Sequence, residues 1–103
     1  MSNVVEIVNF KLAAGYTIHD FLKSNEKMDL FLKEQDGVLY RSLCESDDGG
    51  FVDIVYWDNM DNAKKAQQAF YSSELCQAFA QCIAKESVKL EHVNVLASFG
   101  CEQ

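Results

Sequence analysis

The side chains in this sequence best suited to chemistry on a small molecule sit in stretches of alternating apolar residues. They are Glu6, Asn9, Arg41, Asp53, Trp57 and His92, joined by Asn25 in a stretch of helical periodicity. His92 carries an imidazole that titrates near neutrality, which makes it the natural general base. In a strand, such a histidine serves equally well as a hydrogen-bonded structural residue. Trp57 offers a flat ring to stack on a planar ligand and one N–H to donate, or simply bulk for an interface. Arg41 could hold a carboxylate or phenolate, with Glu6 and Asp53 orienting it. One arginine between two acids is also largely neutralised, and that ion-pair reading weakens it as an anion receptor. Asn9 and Asn25 could each donate to a substrate carbonyl. On this reading His92, Trp57 and Arg41 are the catalytic candidates. Asn9, Asn25, Glu6 and Asp53 are the ligand-binding ones.

Other chemistries find less support. The cysteines, Cys44, Cys76, Cys82 and Cys101, form no CxxC pair, and neither His19 nor His92 stands at zinc-finger spacing from them. They read as reduced, small apolar side chains. Cys76 and Cys82 are expected on different sides of a helix, Cys101 in an exposed tail and His19 on the surface. No carboxylate–histidine cluster stands at helical spacing, so no metal site is expected.

The elements that must position these groups can be read from periodicity. Val4 to Leu12 alternates as a strand, with Val5 and Ile7 on one face and Val4, Glu6, Val8, Phe10 and Leu12 on the other. Thr17 is a good N-cap, and Asp20 suits the helix start that follows. Ile18, Phe21, Leu22, Met28, Phe31 and Leu32 form a helical stripe to about Gln35, with Asn25 and Asp29 near it. Asp36-Gly37 ends that helix. Val38 to Ser46 and Phe51 to Asp58 make a hairpin around Asp47-Asp48-Gly49-Gly50. A second helix, capped by Asn59 or Asp58, breaks at Ser72-Ser73 and resumes to about Lys85. Ser87 to Leu96 is the last strand. The order is βαββαβ, an α+β, ferredoxin-like arrangement with both helices on one face of a four-stranded antiparallel sheet.

The two sheet faces differ. Val5, Ile7, Val52, Ile54 and Tyr56 are uniformly apolar, which suits packing under the helices, and Tyr40 is grouped with them. Val8, Phe10, Leu43, Phe51, Val55 and Trp57 share a face with Glu6, Arg41 and Asp53. That mixture is too apolar for water and too polar for an ordinary core. A second copy of the chain closing over it and leaving a pocket would satisfy both demands, which predicts a homodimer.

The chain of 103 residues suits one domain, residues 1–103, with no linker and no proline. Its hydrophobic fraction of 49% lies in short runs, none near the ~18 residues of a membrane span. The N-terminus lacks the basic and apolar segments of a signal peptide, so a cytoplasmic location is expected. The net charge of −7, with scattered basic residues, argues against nucleic-acid or membrane partners.

The stretches VVEIVNFKLAAG (Val4 to Gly15), DGVLYRSL (Asp36 to Leu43) and DGGFVDIVYWDNMDNAKKA (Asp48 to Ala66) carry a resemblance. With the element order, they make the chain similar to the antibiotic-biosynthesis-monooxygenase-like dimeric α+β barrels over nearly its whole length. The resemblance implies that fold and a homodimer. It also suggests oxidation of a small aromatic substrate without a cofactor. In such enzymes the substrate forms a carbanion that reacts with oxygen, and the protein removes a proton, stabilises the enolate and excludes water. His92 would be the base, with Arg41, Asn9 or Trp57 stabilising charge. Haem-degrading relatives pair an asparagine and a tryptophan with an iron-ligating histidine on the second helix. Asn9 and Trp57 could fill two of those parts, but Asn59 to Lys85 contains no histidine, which disfavours haem. The competing readings are a noncatalytic small-molecule binder using the same cavity and a structural dimerisation module packed solid.

Overall fold

A computed structural model describes residues 3–100; Cys101 lies outside them. The chain runs β1 (Val4–Phe10), α1 (Ile18–Lys33), β2 (Val38–Glu45), β3 (Phe51–Trp57), α2 (Met60–Ser72), α3 (Gln77–Gln81) and β4 (Lys89–Asn94). The strands form one antiparallel sheet in the order β2-β3-β1-β4. This is the expected ferredoxin-like arrangement. No helix among the described residues is long and apolar enough to cross a membrane.

Local chemistry sets the element ends. Thr17 and Asp20 form a reciprocal capping box: Thr17 Oγ1 accepts from the Asp20 N–H at 3.1 Å, and Asp20 Oδ2 accepts from the Thr17 N–H at 3.0 Å. Gly37 follows α1 at φ +80°, and its carbonyl accepts from the Asp58 N–H at 2.9 Å. A Cβ there would collide with the Asp58 carboxylate, so both the conformation and the space demand glycine. Asn59 Oδ1 caps α2 through the Asn62 N–H at 2.8 Å. The second helix is broken as expected: Ser73 Oγ accepts from the Leu75 N–H, a 3-10 turn covers Glu74–Cys76, and α3 follows.

Cys76, in the 3-10 turn before α3, and Cys82, just after α3, are both buried, with Cys82 Sγ 4.0 Å from Ser24 Oγ. The α1 stripe differs from expectation at its start. Phe21, Ser24, Met28, Phe31 and Leu32 are buried, whereas Ile18 and Leu22 lie on the outer side, 44% and 52% exposed.

The larger correction concerns the sheet faces. The mixed set, not the uniformly apolar set, lies under the helices. Val4, Phe10, Phe51, Asp53, Val55 and Trp57 are all buried there, packed with Phe21, Phe31 and Phe79 from the helical layer. Val5, Ile7, Val52, Ile54 and Tyr56, with Tyr40 beside Tyr56, occupy the helix-free face. The physical reason is that Arg41 finds its partners on α1 as well as on β3. Asn25 and Asp29 of α1 both accept from its guanidinium, which fixes that strand face toward the helices.

At one end of the layer, Phe10, Phe21, Phe51 and Phe79 form an aromatic cluster, with Phe21 and Phe79 centroids 4.9 Å apart. The end of α3 is tied to the chain after β1: the Ala13 N–H donates to the Cys82 carbonyl and the Ala84 N–H to the Lys11 carbonyl. These bonds hold α3 over the sheet at this end and leave the space beneath the α2–α3 break open.

Candidate functional site

That space is a cavity of about 490 Å³ between sheet and helices, within the range that ligand sites occupy. Its floor is the mixed strand face: Glu6 and Val8 from β1, with Asp53, Val55 and Trp57 from β3. Its roof is mainly apolar, with Met28, Phe31 and Leu32 of α1, Phe70 of α2 and Phe79 of α3. The polar groups at the floor are therefore few and well defined.

Pairing register places them. Arg41 opposes Val55, Val55 opposes Glu6, and Glu6 opposes His92, so Arg41, Glu6 and His92 lie in one row across the sheet. Each then reaches a different neighbour. Arg41 makes a bidentate contact with Asp53, Nε to Oδ1 at 2.9 Å and Nη2 to Oδ2 at 2.7 Å. Its Nη1 donates to Asn25 Oδ1 at 2.6 Å and to Asp29 Oδ1 at 3.0 Å. The guanidinium carbon also lies 5.5 Å from the Phe79 ring centroid. Burial alone would push the guanidinium's pKa down, but Asp53 and Asp29 outweigh it and hold the group above its ordinary value. Arg41 is thus a permanently charged, fully engaged strut beneath the cavity, not a group on its wall.

Glu6 is different. Its Oε1 accepts from Trp57 Nε1 at 3.1 Å and lies 3.7 Å from His92 Nε2. Burial raises its pKa from 4.5 to about 7, Asp53's negative charge adds to that rise, and the Trp57 N–H opposes it. His92 is pushed down from its ordinary value by burial and by the charge of Lys64. Its Nε2 is enclosed and has no hydrogen-bond partner.

The sequence-derived candidates therefore separate. Glu6, Asp53 and Trp57 line the cavity. Arg41 and Asn25 stand behind Asp53, and His92 stands behind Glu6. Asn9 is not with them: it is exposed on the helix-free face, opposite Val52 and Lys89. Tyr40 and Tyr56 are on that face too. Sequence reasoning missed Gln67, Tyr71, Cys76, Gln77 and Lys85, which also line the cavity. Gln67 could have been found, since it follows Ala66 and precedes Phe70 on the inward side of α2. Cys76 and Lys85 depend on the turn after Ser73, whose path no periodicity encodes. Among the described residues, no cluster of three or more His, Cys, Asp or Glu is placed to hold a metal ion.

No family model and no curated protein matches the sequence. Solved structures do match the fold. A presumed antibiotic biosynthesis monooxygenase from Bordetella bronchiseptica superposes with a TM-score of 0.76 at 20% identity, covering 94% of this chain and 100% of that one. Its fold is that of the antibiotic biosynthesis monooxygenase-like proteins. SnoaB, a cofactor-independent oxygenase from Streptomyces nogalater, matches with a TM-score of 0.64 at 16% identity over 97% of each chain. Rv0793 from Mycobacterium tuberculosis matches with a TM-score of 0.71 at 16% identity, covering 96% of this chain and 100% of that one. In this antibiotic biosynthesis monooxygenase-like fold, the cavity lies between the sheet and its own helices.

Proposed function

We propose that this chain is a cofactor-independent oxygenase that binds a small, flat aromatic substrate in the sheet–helix cavity. The observation that carries the reading is the cavity itself: an apolar chamber whose floor presents one indole ring and one carboxyl group of near-neutral pKa. Its apolar walls limit the water around a reactive carbanion and leave only a few groups able to exchange a proton. Likeness to SnoaB, itself a cofactor-independent oxygenase, points the same way. A cavity of this size counts against a module packed solid with side chains.

The second reading, a noncatalytic binder, draws on one observation. Arg41, the cation expected to stabilise an enolate, is consumed by Asp53, Asp29 and Asn25 and does not line the cavity. Oxygen consumption decides between the two. Purified protein with anthrone or a naphthoquinol is expected to take up oxygen, and Trp57→Phe with His92→Ala to reduce that uptake at least tenfold. Saturable thermal stabilisation by these compounds without oxygen uptake would establish the binder instead.

We infer further that the protein is a homodimer joined through the helix-free sheet face. Ile7, Val52, Ile54 and Tyr56 form a continuous apolar surface there, and Tyr40 and Val93 extend it at 49% and 38% exposure. A second copy that covers this surface would bury it symmetrically.

A further inference from the structure

Two carboxyl groups reach the cavity floor, and they are held in opposite ways. Asp53 has both oxygens fastened by Arg41, so its negative charge is fixed. Glu6 has no cation facing it. Oε1 takes the Trp57 N–H, and Oε2 has no hydrogen-bond partner among the described residues. Behind Oε1 stands His92 Nε2, enclosed, without a donor or acceptor of its own and 3.7 Å away.

We propose that Glu6 is the catalytic base of the cavity, and that His92 is a positioning residue acting through it. This rests on the aromatic-substrate reading above. It moves the proton-accepting role from His92, which does not touch the cavity, to the carboxyl group that does. In the step, a C–H bond of the bound aromatic ketone breaks. Its electron pair delocalises onto the ketone oxygen as an enolate, and the proton forms an O–H bond on Glu6. The protonated carboxyl can then turn that O–H toward His92 Nε2, whose lone pair accepts it. This hydrogen bond favours protonated Glu6 and so makes Glu6 a stronger base.

The titratable and charged groups around Glu6 come from every element packed on it. From β3 the facing charge is Asp53, already bound to Arg41 of β2, which also holds Asp29 of α1. From β4 it is His92, and from α2 Lys64 acts on His92 through its charge. Lys85 stands on the cavity wall after α3, and Cys76 is buried in the preceding turn with its thiol pKa raised by burial. Tyr71 of α2 adds a phenol to the cavity wall, and the remaining lining groups from α1, α2 and α3 do not titrate.

Carbon-13 NMR of the glutamate carboxyls tests the proton site in the wild-type protein, with Glu6 assigned through its backbone. A titration midpoint close to 7 is expected. A midpoint in the ordinary range near 4 overturns the proposal. His92→Phe, which keeps a ring but removes the acceptor, should lower that midpoint. His92→Gln, which restores an acceptor, should return it toward the wild-type value. No movement in either variant overturns the role given to His92.

The second measurement is hydrogen–deuterium exchange at the acidic ring carbon of anthrone, without oxygen. Anthrone binding is followed by Trp57, the single tryptophan of the chain. Wild type is expected to quench and to exchange, and Glu6→Gln to quench with similar affinity while exchanging at least about 100-fold more slowly. Exchange retained in Glu6→Gln overturns the proposal. Binding without exchange in wild type overturns it too and leaves the aromatic-ligand reading standing. Absence of quenching in wild type removes that reading, and this proposal with it.

Discussion

A carboxyl that is protonated in the folded protein at a pH where it is ionised in the unfolded chain leaves a signature in stability. Glu6 rises from 4.5 to about 7 on folding. Between those values the native state holds the proton more tightly, so stability is greatest below the lower value and falls as pH rises through the upper one. The full effect is on the order of 3 kcal/mol, for a side chain only 14% exposed. His92 has the opposite sign: its depressed value favours the native state above the unfolded histidine range, and that contribution is lost as pH falls. Glu6→Gln separates the two, because it removes only the first. Chemical denaturation at pH 5 and pH 8 is expected to show Glu6→Gln gaining stability relative to wild type at the higher pH, by about 2 to 3 kcal/mol. Asp53 behaves differently at the same floor. Its side chain and that of Arg41 are 8% and 9% exposed, and Asp53→Asn leaves the guanidinium buried with only the exposed Asp29 as counter-charge. A loss of about 3 kcal/mol is expected in urea denaturation, with no rescue by pH in the neutral range.

At the scale of elements, period-2 and helical patterns locate the strands and helices because side-chain direction repeats with the backbone. Val4, Glu6, Val8 and Phe10 share a face for that reason, as do Asp53, Val55 and Trp57. Parity cannot tell which face the helices cover, since both sets are apolar enough to be buried. The deciding signal lay on α1, not on the strands. Asn25 and Asp29 stand one turn apart beside a buried stripe, and a polar pair there calls for a partner beneath it; Arg41 is that partner. The cavity was less legible. It depends on where α2 stops and α3 resumes after Ser73, a matter of turn geometry that leaves no periodic trace. Turn geometry is legible where one residue type is required. Gly37 has φ +80° and no room for a Cβ beside Asp58. Gly37→Ala is expected to cost about 2 kcal/mol in urea denaturation, because backbone strain and the Asp58 contact act together.

For the whole molecule, moving the polar row under the helices alters the argument for a partner without removing it. A second subunit was expected to cover Glu6, Arg41 and Asp53; these are covered by the chain's own helices. What remains open is the other face, and it is the more apolar of the two. Ile54 lies near its centre, between Ser42 on β2 and Ile7 on β1. Tyr56 and Tyr40 meet edge to face beside it at 5.6 Å. A side chain there faces no helix and makes no contact with the cavity, so a charge placed on it acts on the open face alone. Ile54→Glu would set two like charges against each other across a two-fold interface and strand both away from water. In sedimentation at micromolar concentration the wild type is expected as a dimer and Ile54→Glu as a folded monomer. A wild-type monomer would remove the partner. A monomeric Ile54→Glu that still binds anthrone would show that each chain's cavity is complete on its own, as the placement of Glu6, Trp57 and the α1–α3 roof within one chain requires.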